Sequence, residues 1–420
     1  MSDVVSCPVR RATVATVTMG YGHLRAAAAI ADRLGVPVEL ADRPPLVSGL
    51  EQRVWAVARR LYHSLSRGSQ SRLRGAVIEP VLDRLTAIEP GSRAFGSAGP
   101  VRLLDTLIRL GLGRGLGRRL DQRRSPLVAT FYANALAAER HAGVPIALVV
   151  TDSDIHRVWA PREPDSTRIH FLVPTDRTGR RLTAYGVPAD HIHVTGFPLP
   201  PELVGSQALE RLDRHLAARR RRLDAARGVI GAAPCIVYSV GGAGAQAATA
   251  RELLRELADD LRGGRIRLVI AAGTHAGIAR RCRHWQTAFG LDGLAPGTLE
   301  ILTAPTFGAV YRRFNETLAD ADILWTKPSE LVFYGALGLP LVLEPPVGAH
   351  ERCNRDLVTA EGVAIDRPAA GSIASWLRRH LVDGSFSRAA DRGRERLPAD
   401  GTRTIEHFVL TELYTAFTGN

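Results

Sequence analysis

Lysine is almost absent. Of the 55 lysines and arginines in this 420-residue chain, only Lys327 is a lysine. A bias toward arginine on that scale makes most basic positions uninformative and singles out the exception. Cysteine is scarce too. Cys7, Cys235, Cys282 and Cys353 lie far apart and form no Cys-x-x-Cys pair, which excludes a disulfide framework and a cysteine zinc site. His350 with Cys353 supplies two ligands, short of a metal centre. No apolar run reaches the roughly 18 residues that span a bilayer. The polar start, residues 1–11, lacks the form of a signal peptide, so the chain is expected in the cytoplasm. Aromatic residues make up only 6%, and with no recognisable binding module this argues against nucleic acid as a partner.

What is present is positive charge. The formal net charge is +13 and the isoelectric point near 10.5, which calls for an acidic partner such as anionic lipid or a phosphorylated substrate. Basic residues crowd two stretches, 102–124 and 211–227. The first mixes Leu and Ile with Arg. Two readings stand for it: a solvated helical face, or a face that lies on an anionic membrane surface, where each basic side chain adds about 1 kcal/mol.

A length of 420 residues suits two domains, and 45% apolar content excludes wholesale disorder. Short β-like runs alternate with helical ones, the pattern of parallel α/β domains. Strands are expected at 13–18, 36–40, 146–150, 169–173 and 191–195, then at 235–240, 266–271, 299–302, 322–325 and 340–343. The spacing implies an N-terminal Rossmann-like domain over 1–202 with a helical basic insertion at about 50–125. A linker helix at 203–231, a second Rossmann-like domain at 232–370 and C-terminal helices at 371–420 follow. Such a pair of domains places a cleft between their strand ends.

Four turns at expected strand ends carry candidate chemistry. Gly20-Tyr-Gly-His23 opens a helix: Gly20 and Gly22 let backbone approach a ligand, and His23 is a candidate general base. Val149-Val-Thr-Asp-Ser-Asp-Ile-His-Arg-Val-Trp159 offers Asp152 and His156 for deprotonating a hydroxyl, with a turn cap as the plainer role of Asp152. The third, Ser239-Val-Gly-Gly-Ala-Gly-Ala245, can cradle phosphate but lacks a dinucleotide spacing. The glycines of 110–117 have no strand before them and are set aside. The fourth joins Asp322-Ile-Leu-Trp-Thr-Lys-Pro-Ser-Glu330 to Pro346-Val-Gly-Ala-His-Glu-Arg-Cys-Asn354. In the latter Glu351 and Asn354 fall on one helical face, suited to sugar hydroxyls or simply to a helix start.

In this order the turns resemble the GT-B glycosyltransferases that include monogalactosyldiacylglycerol synthases and bacterial processive diacylglycerol glucosyltransferases. The peptidoglycan-precursor N-acetylglucosaminyltransferase is a more distant relative. Gly20 to His23 is similar to the family's Gly-Gly-His turn, and Thr151-Asp152, His156 and Trp159 match its Thr-Asp…His…Trp segment. Val173-Pro-Thr-Asp176, Gly186-Val-Pro188 and Val194-Thr-Gly-Phe-Pro198 follow in register. Gly241, Gly242 and Gly244 fit the second-domain glycine turn, Thr326-Lys-Pro328 the entry to the donor loop, and Glu351-x-x-Asn354 the family's Gln-Glu-x-x-Asn helix start. The chain departs in one place above all. Where the family has Gly-Gly-Thr after Lys-Pro, Ser329-Glu330-Leu331 stands here, the loop to Pro340 is shorter, and Phe333 takes the position of a ribose-binding glutamate. His350 replaces the usual Gln.

The resemblance implies a GT-B fold, α/β, with two Rossmann-like domains facing a cleft and C-terminal helices. It also implies a metal-independent, inverting glycosyltransferase needing no cofactor, with a UDP-sugar donor and a hydroxyl acceptor that includes lipid. His23 or Asp152 would be the base, His156 its support, and Gly20, Gly22 and Trp159 the acceptor side. Gly241, Gly242, Gly244, Lys327, His350, Glu351 and Asn354 would hold the donor. Glu330 would either reach the ribose from a new position or oppose the diphosphate. The altered donor loop keeps two alternatives open, a non-catalytic GT-B ligand-binding protein and a sugar-nucleotide epimerase. Location at the inner face of the membrane follows if the acceptor is a lipid.

Overall fold

Every strand expected from the apolar runs is present, and all of them lie parallel. The computed structural model describes residues 12–47, 49–57, 98–205, 209–226, 233–241 and 246–415. The first sheet contains β1 Thr13–Thr16, β2 Val38–Leu40, β3 Leu127–Ala129, β4 Ile146–Val149, β5 Ile169–Val173 and β6 Ile192–Val194, in the order β2-β1-β3-β4-β5-β6. The second contains β7 Cys235–Ser239, β8 Arg267–Gly273, β9 Leu299–Thr303, β10 Ile323–Thr326, β11 Leu341–Leu343 and β12 Ala364–Asp366, in the order β12-β11-β10-β7-β8-β9. The latter is the doubly wound order of a dinucleotide-binding fold. Strands such as β4 and β7 are buried along their whole length, as strands covered by helices on both faces must be.

Two strands fall outside the sequence-based expectation. β3 is three residues long and follows Arg123-Arg124-Ser125-Pro126, so charge and proline hide it. β12 is equally short and sits at the sheet edge. Of the basic insertion, Ala98–Arg109 and Arg114–Arg123 are helices, while 58–97 lie outside the described residues. No helix among the described residues is long and apolar enough to cross a membrane.

Two arginines of the second basic stretch serve the interior. Its helix, Glu210–Ala225, buries Arg219, which donates to the carbonyls of Leu318, Ala321, Leu337 and Gly338. Burial draws that guanidinium down to about 10. Arg222 pairs with buried Asp322 at 2.8 Å. These arginines tie the linker helix to the second lobe instead of facing a partner.

The chain crosses between the lobes twice, side by side. Gly196, at φ 80°, lies so close to the return crossing that a Cβ there would stand 3.1 Å from Pro398 Cγ. Thr402 Oγ1 donates to the Leu199 carbonyl beside it. Helices Ile373–Val382 and Ser385–Arg396 pack on the second sheet through Leu377, Leu381, Phe386 and Ala390. The helix Gly401–Phe408 and its continuation Val409–Leu413 return to the first. There Ile405, Phe408, Val409 and Leu413 cover Val14, Val128, Val149 and Leu172.

Candidate functional site

Ligands of open α/β sheets sit beyond the carboxyl ends of the strands, where strand order reverses. That point lies between β1 and β3 in the first sheet and between β7 and β10 in the second. Both are occupied by residues the sequence singles out.

At the first, the turn after β1 feeds the helix Tyr21–Leu34, with Gly20 at its N-cap and His23 in its first turn. His23 Nδ1 lies 2.6 Å from the carbonyl oxygen of Thr130, the residue after β3. A carbonyl can only accept, so Nδ1 carries the proton and Nε2 is the nitrogen that can take one up. Thr130 Oγ1 donates to the His23 carbonyl at 2.9 Å and lies 2.8 Å from Thr16 Oγ1, locking the pair from below. Thr151 Oγ1 stands 3.3 Å from the same Nδ1. Phe131 meets the imidazole edge-on at 5.0 Å and buried Trp159 lies 6.0 Å away. Burial lowers the His23 pKa below 6.5, while the Asp152 charge and the Thr130 carbonyl pull partly the other way.

Asp152 does not cap a helix here. Its Oδ1 accepts from Asn354 Nδ2 at 3.1 Å, across the cleft. His156 packs edge-on against Tyr132 at 6.3 Å. Burial, with the charge of His350, drives it down to about 4, so it is neutral at physiological pH. His350 thus reaches from the second lobe into the field of both imidazoles.

At the second reversal point, Lys327 follows β10 and pairs with Glu351 Oε1 at 2.5 Å. Glu351 Oε2 accepts from the Val347 N–H at 2.8 Å, and the carboxylate is buried. The carbon chain of Lys327 runs beside Gly241 at the end of β7: a Cβ on Gly241 would stand 3.8 Å from its Cδ and Cε. Gly242 and Gly244 lie outside the described residues. Asn354 is fully buried one helical turn beyond Glu351. It accepts from Ser153 N at 2.9 Å and Ser153 Oγ at 2.7 Å, and donates to Asp152 and to the Pro328 carbonyl. All its polar atoms are engaged, three of the four bonds reaching the opposite lobe.

The altered donor loop is packed tightly. Residues Glu330–Leu337 form a buried 3₁₀ helix. Phe333 stacks on Phe197 at 4.8 Å and 7° and serves the core there. Glu330 points toward Arg25 of the first lobe, with Oε1 2.6 Å from the guanidinium. Gly22 lies directly opposite: a Cβ there would come within 3.2 Å of Glu330 Oε2. Tyr21 closes the same seam, with its hydroxyl 2.9 Å from Thr274 N and Oγ1.

Several of these groups escape a reading of sequence. Thr130 follows the strand that charge and proline conceal. Ser153 and Thr151 lie in the Thr-Asp segment but have no chemistry that stands out. Arg25 is one arginine among many, and only its neighbours distinguish it. The assembled site sets a proton acceptor on one side of the cleft against a lysine paired with a buried carboxylate on the other.

No protein-family model matches the chain. It is similar to the processive diacylglycerol beta-glucosyltransferase of Bacillus subtilis (strain 168), 21% identical over 258 residues covering 60% of this chain and 59% of that enzyme. The enzyme of the same name from Staphylococcus carnosus (strain TM300) is 23% identical over 259 residues, 60% of this chain and 58% of that one. The chain resembles these glycosyltransferases. It matches less than two thirds of the length of either. Among solved structures, a putative UDP-N-acetylglucosamine 2-epimerase from Listeria monocytogenes aligns at a TM-score of 0.51 and 11% identity over 98% of each chain. With the two parallel sheets facing a cleft, this identifies the fold as GT-B.

Proposed function

We propose that the protein is an inverting, metal-independent glycosyltransferase that moves a sugar from a UDP-sugar to a hydroxyl of a lipid acceptor. The observation that carries this reading is that both reversal points bring chemistry to one interlobe seam: His23, with Nε2 ready to accept a proton, feels the charges of Glu330 and His350 from the second lobe, where Lys327 lies beside Gly241. His23 Nε2 takes the acceptor's proton as its oxygen attacks the anomeric carbon. The bond to the diphosphate breaks, and Lys327 and the N–H groups after β7 neutralise the departing charge. Asp152 favours the imidazolium that forms, and His156 stays neutral. Gly20, Gly22 and Trp159 shape the acceptor side. Orientation of the sugar by His350, Glu351 and Asn354 requires Asn354 to leave Ser153, so donor entry is coupled to parting of the lobes.

A lipid acceptor is supported by the names of the two relatives and by the helix Ala98–Arg109, where Leu103 and Leu110 beyond it are 62% and 77% exposed beside Arg102 and Arg109. Sedimentation with anionic vesicles tests this contact: loss of binding at high salt is expected, and no binding at low salt refutes it.

Calorimetry with UDP, alongside product analysis with UDP-glucose and diacylglycerol vesicles, tests the reaction. Binding with formation of a glycolipid is expected, and no UDP binding at millimolar ligand sinks the reading. The engagement of Glu330 at the donor loop favours one alternative, a non-catalytic nucleotide-binding protein. Binding without turnover across donors and acceptors would establish it.

A further inference from the structure

Glu330 occupies a position built for an anion. Its carboxylate is buried between the lobes, one oxygen against Arg25 and the other over Gly22. Burial alone pushes the carboxyl up, yet Arg25 and Lys327 together outweigh it and hold the group below the usual glutamate range. The two cations come from opposite lobes, Arg25 from the helix after β1 and Lys327 from the end of β10.

Arg25 does not depend on Glu330 for its place. Its guanidinium lies 4.8 Å from the Phe314 ring centre and 5.3 Å from that of Tyr21, a stacking that holds the planar group whichever anion it meets. Its contact with the carboxylate runs through one nitrogen, Nη1, while Nε is buried with no partner. A guanidinium in a settled ion pair uses its fork more fully. A diphosphate, with more oxygens and more charge, can use what the carboxylate leaves.

We infer that Arg25 and Lys327 form the cation pair that receives the donor's diphosphate, and that Glu330 fills this position as an internal anion until the donor displaces it. This rests on the nucleotide-sugar reading. It also accounts for the altered loop: Glu330 stands where the family has glycine, and the positive site it would otherwise oppose is the one it occupies.

The test is titration of inorganic pyrophosphate and of UDP into the full chain at low salt, by calorimetry and thermal shift. Glu330→Gln should bind both about ten- to a hundredfold tighter than the wild type, the range of a charge-assisted hydrogen bond no longer competed for. Arg25→Met in that background should abolish the gain. Should Glu330→Gln fail to fold, Glu330→Asp keeps the charge but shortens its reach, and a smaller gain in pyrophosphate affinity is expected. A folded variant of either kind that binds both probes no tighter than the wild type overturns the inference. If the wild type binds UDP and Glu330→Gln gains nothing, the inference falls and the transferase reading stands. If Glu330→Gln gains for pyrophosphate while UDP binds no better than pyrophosphate, the anion site stands and the nucleotide-sugar reading falls.

Discussion

The two reversal points are the same place in the same kind of sheet, yet they are furnished in opposite ways. In the first lobe, between β1 and β3, a neutral imidazole is fixed by a backbone carbonyl and walled by Phe131 and Trp159. In the second, between β7 and β10, a lysine, two carboxylates and a helix start make a densely charged corner. A ring that must change protonation gains from burial that keeps it neutral at rest. A corner that must meet a leaving anion gains from fixed charge. On the proposed reading proton handling falls to the first lobe, while Lys327 of the second shares charge neutralisation with Arg25 of the first.

Replacing the base should break this division most severely. His23→Ala should lower kcat by about 10²–10⁴-fold and leave UDP affinity unchanged, read by steady-state rates beside calorimetry. A parallel loss of nucleotide affinity would erase the division. In the wild type the rate should rise with pH through a midpoint below 6.5 and then level, because burial lowers the His23 pKa. Asp152→Asn should move that midpoint lower still, since the Asp152 charge raises it.

The complementary change comes next in size. Lys327→Met should cost about 10²–10³-fold in turnover and weaken UDP binding as well. Lys327→Arg should restore only part of the loss, because a planar fork does not replace a compact charge. Full rescue by arginine would mean that charge alone is used there.

A smaller effect should join the lobes. Asn354→Ala strands the Ser153 N–H and hydroxyl, and should destabilise the protein by about 1–3 kcal/mol, measurable as a shift in the denaturant midpoint. No shift would show that the bridge contributes nothing in solution.

The smallest contrast concerns acid. In the first lobe His170 Nδ1 lies 3.1 Å from His193 Nε2, and both rings pack on Phe408. Burial, then the charges of His191 and His193, lowers His170 to about 4. The unfolded chain binds that proton first, so stability should decline as pH falls from about 6.5 to 4. His170→Phe should flatten the slope of Tm against pH in that window, and an unchanged slope would place the acid sensitivity elsewhere.

Much of this was legible in sequence because the turns obey local rules. Apolar runs ending in Gly20–His23 and in Thr326–Pro328 mark strand ends, and both proved to be reversal points. The Glu351/Asn354 spacing put two polar groups on one helical face, as found. What stayed hidden is what depends on long-range approach. The Thr130 carbonyl that fixes the His23 tautomer belongs to a three-residue strand after a proline. Nothing local links Arg25 to Glu330, or Asn354 to Ser153, because the fold alone brings those segments together. The excess of arginine worsened the concealment: buried Arg219, capping four carbonyls, and Arg25, stacked in the seam, look like every other arginine in the chain.

The return of the C-terminal helix sets the order in which the molecule can be finished. β1 to β6 are synthesised early, yet the apolar face formed by Val14, Val128, Val149 and Leu172 is covered by residues 405–413. Those residues leave the ribosome only after the second lobe has been made. The nascent first lobe therefore carries an uncovered greasy face throughout the translation of the second, and its completion waits on residues 405–413.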